Sequence, residues 1–177
     1  MKKALSIIIS IFVFLLIYFL QSNLFNWFTI GGVMPNLFVI LVLFLGLFAG
    51  RRVGISLGII FGIIIDILGS QKIGISAIML AIIGFLGGYF DKNFSKESRI
   101  TIMIMGAGAT FIFEIGVYLI NCVILEIPIE MIEFFKIVLV EVLYNTLLTI
   151  ILYPILQKLG YELEENFKSS QILTRYF

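Results

Sequence analysis

Six stretches of apolar residues follow one another along the chain, separated by short polar segments. They cover residues 4–20, 35–50, 53–69, 73–90, 100–121 and 134–157. A helix needs about 20 mainly apolar residues to cross the hydrocarbon core of a bilayer, with a lower limit near 17. The pattern therefore predicts an all-α integral membrane protein, a bundle of six transmembrane helices that forms a single membrane domain over residues 1–177. Residues 158–177 are predicted to be a polar cytoplasmic tail, either a short helix or disordered.

The distribution of Lys and Arg predicts how the bundle is oriented. Basic residues collect in cytoplasmic loops of membrane proteins. One predicted side has only Lys72 and Lys136, and the other has all remaining basic residues: Lys2, Lys3, Arg51, Arg52, Lys92, Lys96, Arg99, Lys158, Lys168 and Arg175. This asymmetry alternates over every loop, so we expect both chain ends to lie inside the cell.

Small residues form stripes along the third and fourth predicted helices. Membrane helices associate through close packing of such residues, because lipid tails are as apolar as Leu. The residues predicted to pack closely are Gly58, Gly62, Gly69, Gly74, Ala77, Ala81, Gly84 and Gly88. The favoured interpretation is a tight hairpin within one chain, and the alternative is a surface that docks a partner helix.

Three acidic residues, Asp66, Glu114 and Glu141, fall inside the predicted helices and in the outer half of the bilayer. A carboxyl group at that depth needs a partner, a water-filled cavity or a proton. Tyr144 and Asn145 lie beside Glu141, and we predict that all five residues belong to one intramembrane polar cluster. This cluster either fixes the register of the helices through hydrogen bonds or forms a functional pocket, and we expect at least one of its acids to carry a proton.

Composition excludes several kinds of chemistry. Hydrophobic residues make up 61% of the chain and charged residues 13%, which excludes an ordinary soluble domain. The sequence has no His, one Cys and a net charge of +1. Zinc sites of His and Cys, Cys–His catalysis and internal disulfides are therefore ruled out. We predict no enzyme activity, no catalytic or metal-binding residue, no cofactor and no nucleic-acid partner.

An ordered set of motifs resembles the rod shape-determining MreD family. Pro35 and Asn36 lead into an apolar segment, a glycine series from Gly46 to Gly62 follows, and Asp66-Ile-Leu-Gly69 comes next. Later in the chain stand Gly84-x2-Gly87-Gly88, then Glu141-x2-Tyr144-Asn145, and finally Pro154. The resemblance covers essentially the whole chain.

This resemblance implies a non-enzymatic scaffold in the bacterial cytoplasmic membrane. Such a protein pairs with MreC and helps to organise peptidoglycan synthesis and cell shape, in an assembly with MreB, a RodA-type glycosyltransferase and a class B penicillin-binding protein. The predicted fold also resembles the substrate-binding S-components of energy-coupling-factor transporters. The alternative function is therefore the membrane subunit of a vitamin-type transporter, with a ligand pocket near the outer surface.

Overall fold

The computed structural model describes residues 2–25, 27–69, 73–93, 98–125 and 130–172. The predicted loop at 70–72, residues 126–129 of the predicted outer segment and residues 173–177 of the tail lie outside these ranges. The described part of the chain forms six α-helices: α1 (Lys2–Asn23), α2 (Leu37–Ala49), α3 (Arg51–Gly69), α4 (Ile75–Asn93), α5 (Arg99–Leu125) and α6 (Met131–Ile172). They follow the six predicted apolar segments in order.

Four of these helices, α1, α3, α5 and α6, are long and apolar enough to cross a membrane, whereas α2 and α4 are shorter apolar helices. With 13 residues, α2 is about 20 Å long at a rise of 1.5 Å per residue. The hydrocarbon core of a bilayer is about 30 Å thick. The fold is therefore that of a helical membrane protein, and the number and direction of its crossings stay predictions.

Helix α2 lies at the centre of the bundle, where all of its 13 residues are buried. Its sequence, Leu37–Ala49, is apolar on every face, and a helix without a polar face must be enclosed by other protein or by lipid. Its main neighbours are α3, α4 and α6. Because protein encloses α2 on all sides, this helix does not have to match the bilayer thickness.

Both ends of α2 are tied to α6 by hydrogen bonds. At the N-terminus, the side-chain oxygen of Asn36 accepts a hydrogen bond from the Val39 N–H at 3.4 Å. The backbone N–H of Asn36 donates to the side-chain oxygen of Asn145 at 2.8 Å. At the C-terminus, the Lys168 ammonium donates to the Leu47 carbonyl oxygen at 3.3 Å. These bonds provide partners for backbone groups that a helix cannot satisfy within itself.

A single residue, Gly50, separates α2 from α3. Its φ of 94° lies in the left-handed region that favours glycine, and its N–H donates to the Gly46 carbonyl at 3.1 Å. So short a connection makes α2 and α3 antiparallel neighbours.

The small-residue stripes bring the backbones of α2, α3 and α4 into contact. A Cβ added to Gly58 would lie 2.5 Å from the Leu80 carbonyl oxygen, and one added to Gly54 would lie 2.6 Å from the Gly46 Cα. Gly62 faces Ala77 in the same way, Gly84 faces the Gly54 backbone, Gly88 faces Arg51, and the Ala81 backbone lies against Gly58. These contacts hold the three helices as one unit.

The expectation of close packing is corrected at the turn between α3 and α4. A Cβ added to Gly69 or Gly74 would meet no atom of the described residues within 4 Å. Gly69 ends α3, and Gly74 has a φ of 111°, so backbone conformation accounts for Gly74 at this turn.

Residues 158–172 of the predicted tail are helical and are part of α6, which continues without interruption to Ile172. Lys168 lies 2.8 Å from the Asp91 carboxylate at the end of α4, and Asn166 donates to the Ser6 hydroxyl of α1 at 2.9 Å. Gly160 packs against the ring of Phe48. We call the region formed by Ser6, Leu47, Asp91 and Lys168 the tail end of the bundle.

Gly58→Ala should destabilise the fold, because its methyl group would collide with the backbone of α4. Overpacking of this kind lowers the free energy of unfolding by about 1–3 kcal/mol. The higher helix propensity of Ala offsets about 1 kcal/mol of this loss. The matched control is Gly69→Ala, where the added methyl meets open space and stability should be unchanged or slightly higher. Thermal unfolding in detergent would measure both variants, and equal stability of the two would contradict the packing argument.

Candidate functional site

A buried polar network joins α5, α6 and the residue that precedes α2. Asn145 is fully buried, accepts the Asn36 N–H and donates from its amide nitrogen to the Thr110 hydroxyl at 3.0 Å. Thr110 in turn donates to the Gly106 carbonyl at 3.0 Å. Both Asn145 and Thr110 therefore have partners for their buried polar atoms, as polar side chains in an apolar interior require.

Two carboxyl groups complete this network. The Glu114 carboxyl group lies close enough to the side chains of Glu141 and Asn36 to hydrogen-bond with them, and Glu141 is 7% exposed. The side-chain amide oxygen of Asn36 already accepts the Val39 N–H, so its amide nitrogen is the group available to donate to Glu114. Two carboxyl groups can hydrogen-bond to each other only if one of them keeps its proton. We therefore expect the polar network, defined as Asn36, Thr110, Glu114, Glu141 and Asn145, to hold one shared proton.

Tyr144, which we predicted to be part of the cluster, uses its hydroxyl to hold a loop. It donates to the Phe28 carbonyl oxygen at 2.8 Å and so anchors the segment between α1 and α2 to α6. Within that segment, Gly31 and Gly32 have φ values of 61° and 82° and form a two-residue turn closed by hydrogen bonds between Ile30 and Val33. A turn with positive φ at both central residues is typical of a tight hairpin.

Asp66 has a different role from the two glutamates. It is 1% exposed, and its carboxylate accepts the backbone N–H groups of Gly74 at 2.7 Å, Ser76 at 3.1 Å and Ala77 at 3.5 Å. The Ser76 and Ala77 N–H groups belong to the first turn of α4, where a helix has no internal acceptor for them, and Gly74 directly precedes that turn. Asp66 therefore caps α4 from α3, and its negative charge faces the positive end of the α4 dipole.

The structure thus divides the predicted cluster into three parts. Glu114, Glu141 and Asn145 lie together, Tyr144 contacts the loop before α2, and Asp66 binds the start of α4. Asn36, which leads into the apolar segment of α2, belongs to the polar network. The sequence does carry a signal for it, because an Asn directly before an apolar run is a typical helix N-cap.

The chemistry of the network is that of a positioning device. No group of three or more His, Cys, Asp or Glu side chains is placed to hold a metal ion in the part of the chain that the structure describes. The polar network bonds three separate chain segments to one another: the start of α2, the middle of α5 and the first third of α6. These bonds favour the interpretation in which the network fixes the register of the helices.

The helices are apolar, and their buried polar side chains bond to one another and to backbone groups. This arrangement is that of a helical membrane protein with a fixed core. Comparison with protein families gives the particular family: the chain belongs to that of the rod shape-determining protein MreD, whose family model matches residues 1–162. This family determines cell shape within the rod complex. Searches of curated proteins and of solved structures find no match to the chain.

The shared proton of the polar network should be visible in the infrared spectrum. The parent protein at neutral pH should show the carbonyl band of a protonated carboxyl group, and Glu141→Gln should remove it, because an amide can donate to Glu114 without a shared proton. Asp66→Asn is the matched control and should keep the band, since Asp66 lies outside the polar network and accepts hydrogen bonds from backbone N–H groups at the start of α4. The absence of the band in the parent would refute the shared proton.

Removing the Asp66 carboxylate should weaken the packing of α4. Asp66→Ala leaves the backbone N–H groups of the first turn without this acceptor in a buried place and should lower the free energy of unfolding by about 1–3 kcal/mol. Asp66→Asn, which keeps one acceptor oxygen, should lose less. Denaturant unfolding followed by circular dichroism would compare them with Glu133→Ala, an exposed control whose ion pair with Lys136 should contribute less than ~1 kcal/mol. Equal stability of Asp66→Ala and the parent would exclude the capping role.

Proposed function

We propose that this protein is a non-enzymatic scaffold of the bacterial cell-elongation complex, in which it pairs with MreC to organise peptidoglycan synthesis. The observation that carries the proposal is the match of the MreD family model to residues 1–162. The wider assembly contains MreB, a RodA-type glycosyltransferase and a class B penicillin-binding protein. The proposed location is the bacterial cytoplasmic membrane, crossed six times with both chain ends inside.

The distribution of charge within the bundle supports this orientation. The tail end brings together Arg51, which stacks 4.5 Å from the ring centroid of Phe85, and Lys168, which is paired with Asp91. Basic residues at one end of a bundle favour the cytoplasmic side. The opposite end has the aromatic residues Trp27 and Phe28, which are 87% and 59% exposed, as expected for residues at a membrane–water boundary.

Two surfaces are suited to partners because the core holds them in place. The segment from Leu24 to Met34 exposes apolar side chains and is anchored through the bond from Tyr144 to Phe28. We propose that it contacts the extracytoplasmic part of MreC. At the tail end, the last turns of α6 present Glu162 and Glu165 on a helix that Lys168 ties to α4. We propose that this helix faces the MreB side.

The alternative, a vitamin-binding transporter subunit, would use polar groups near the outer surface to bind a ligand. The polar side chains predicted there bond instead to one another, to backbone groups and to the loop before α2. This arrangement favours the scaffold.

Depletion of the protein in its rod-shaped host should make the cells round and swollen, and the parent gene should restore the rods. Trp27→Ser should leave the protein in the membrane, because its side chain is 87% exposed, but should reduce co-purification of MreC. Ile132→Ser, 74% exposed at the start of α6, is the matched control and should behave as the parent. Depleted cells with normal shape and a vitamin requirement would show that the transporter alternative is correct.

A further inference from the structure

An elongated cavity of about 160 Å³ lies between α1, α2 and α6. Its walls are mostly apolar and include Val13 on α1, Leu45 and Phe48 on α2, and Leu163 on α6. Along α1 the lining runs from Leu5 to Val13, a length on the order of 12 Å at 1.5 Å per residue. The cavity is therefore a slot that follows the helix axes, beginning near the tail end.

The slot is open to the surroundings of the bundle beside α1. The lining residues Leu5, Ile9 and Leu159 are 59%, 43% and 38% exposed, whereas Leu45 and Phe48 at the back of the slot are 2% and 0% exposed. In a bilayer the medium at this depth consists of acyl chains. An apolar cavity near 150 Å³ stays free of water and admits small apolar molecules.

The dimensions of the slot exclude a partner helix. A helix with its side chains is about 10–12 Å wide, and a groove for it would have to be far larger than this cavity. A single hydrocarbon chain is long and thin like the slot itself. The gap exists because α1 contacts α2 and α6 only lightly, with Phe14 stacked on Phe61 at 4.2 Å as one of its fixed points.

The end of the slot has groups that suit a phospholipid headgroup. Asn166 and Ser6 close that end through their hydrogen bond, and Glu162 lies at the lining. The Glu162 carboxylate suits the ammonium group of phosphatidylethanolamine and repels a phosphate. Lys3 is exposed and precedes Ser6 by three residues, so it lies on the same side of α1 one turn nearer the helix start. A lipid phosphate at this level would find a positive charge beside the slot.

We propose that the slot binds one acyl chain of a phospholipid from the leaflet at the tail end, with the lipid phosphate near Lys3. The bound chain fills the space between α1 and the fixed unit of α2, α3 and α4. It makes the position of α1 depend on the lipid. This proposal rests on the membrane arrangement given under the proposed function, in which the tail end faces the cytoplasm.

A phospholipid with a photoactivatable diazirine in its acyl chain would test the site. The full-length protein is reconstituted in vesicles of phosphatidylethanolamine and phosphatidylglycerol that contain this lipid, illuminated, and mapped by peptide mass spectrometry. We expect adducts on α2 between Leu41 and Phe48, which are 6% and 0% exposed and which a chain reaches only through the slot. Adducts on Ile8 and Phe12, 62% and 66% exposed on the outer face of α1, report ordinary contact with the bilayer.

Two variants that fill the slot from α1, Ser10→Leu and Val13→Phe, should abolish the α2 adducts and keep those on Ile8. The matched control is Ile8→Phe, which adds volume on the exposed face and should keep the α2 adducts. A filling variant that fails to fold would be recognised by its elution profile. The other filling variant would then provide the test.

The outcomes separate this proposal from the proposed function. Adducts on the outer face of α1 without adducts on α2 would overturn the lipid site alone, as would α2 adducts that survive both filling variants. Absence of adducts on α1 as well would contradict the membrane arrangement itself.

Discussion

The structure depends on providing hydrogen-bond partners for the two ends of a short helix inside an apolar bundle. Helix α2 has 13 residues, all buried, so its terminal N–H and C=O groups cannot rely on bulk water. Each buried backbone group left without a partner costs about 1–3 kcal/mol. Asn36 and Asn145 serve one end, and Gly50 and Lys168 serve the other. Because Asn145 and Lys168 both belong to α6, the longest helix brackets the shortest and fixes its height in the bundle.

The same constraint explains why glycine dominates the contacts around α2. A helix with polar partners only at its ends must be held along its length by dispersion forces, which fall steeply with distance. The glycine contacts of Gly46 with Gly54 and of Gly58 with Leu80 place helix backbones against one another without side chains between them. Asp66 then fixes the remaining free end in this unit, the start of α4. Position along the helix axes is thus set by polar bonds, and distance between the axes by glycine.

The apolar pattern was sufficient to predict six helices in order and the stripes that bring α3 and α4 together, because both follow from helix periodicity and residue size. The polar contacts could not be predicted in full, since a carboxylate such as Asp66 satisfies the same energetic requirement with another acid or with backbone N–H groups of a neighbouring helix. Only the tertiary arrangement chooses between them. The sequence does not decide whether the tail is helical or disordered, for a similar reason. Its polar residues Lys168 and Asn166 bond to partners that lie far away in the chain.

The distribution of tight and loose contacts is compatible with the proposed scaffold role. Helices α2, α3 and α4 form a unit in which even a methyl group at Gly58 meets backbone atoms, while α1 is attached lightly and borders a cavity of about 160 Å³. Packed cores have discrete arrangements and transmit displacement, whereas a loosely attached helix adapts its position to its surroundings. A partner or lipid that moves α1 therefore acts on a helix whose tail-end contact, from Ser6 to Asn166, leads directly to the end of α6. Because α6 also holds both ends of α2, a change at the edge of the bundle has a physical route to its centre.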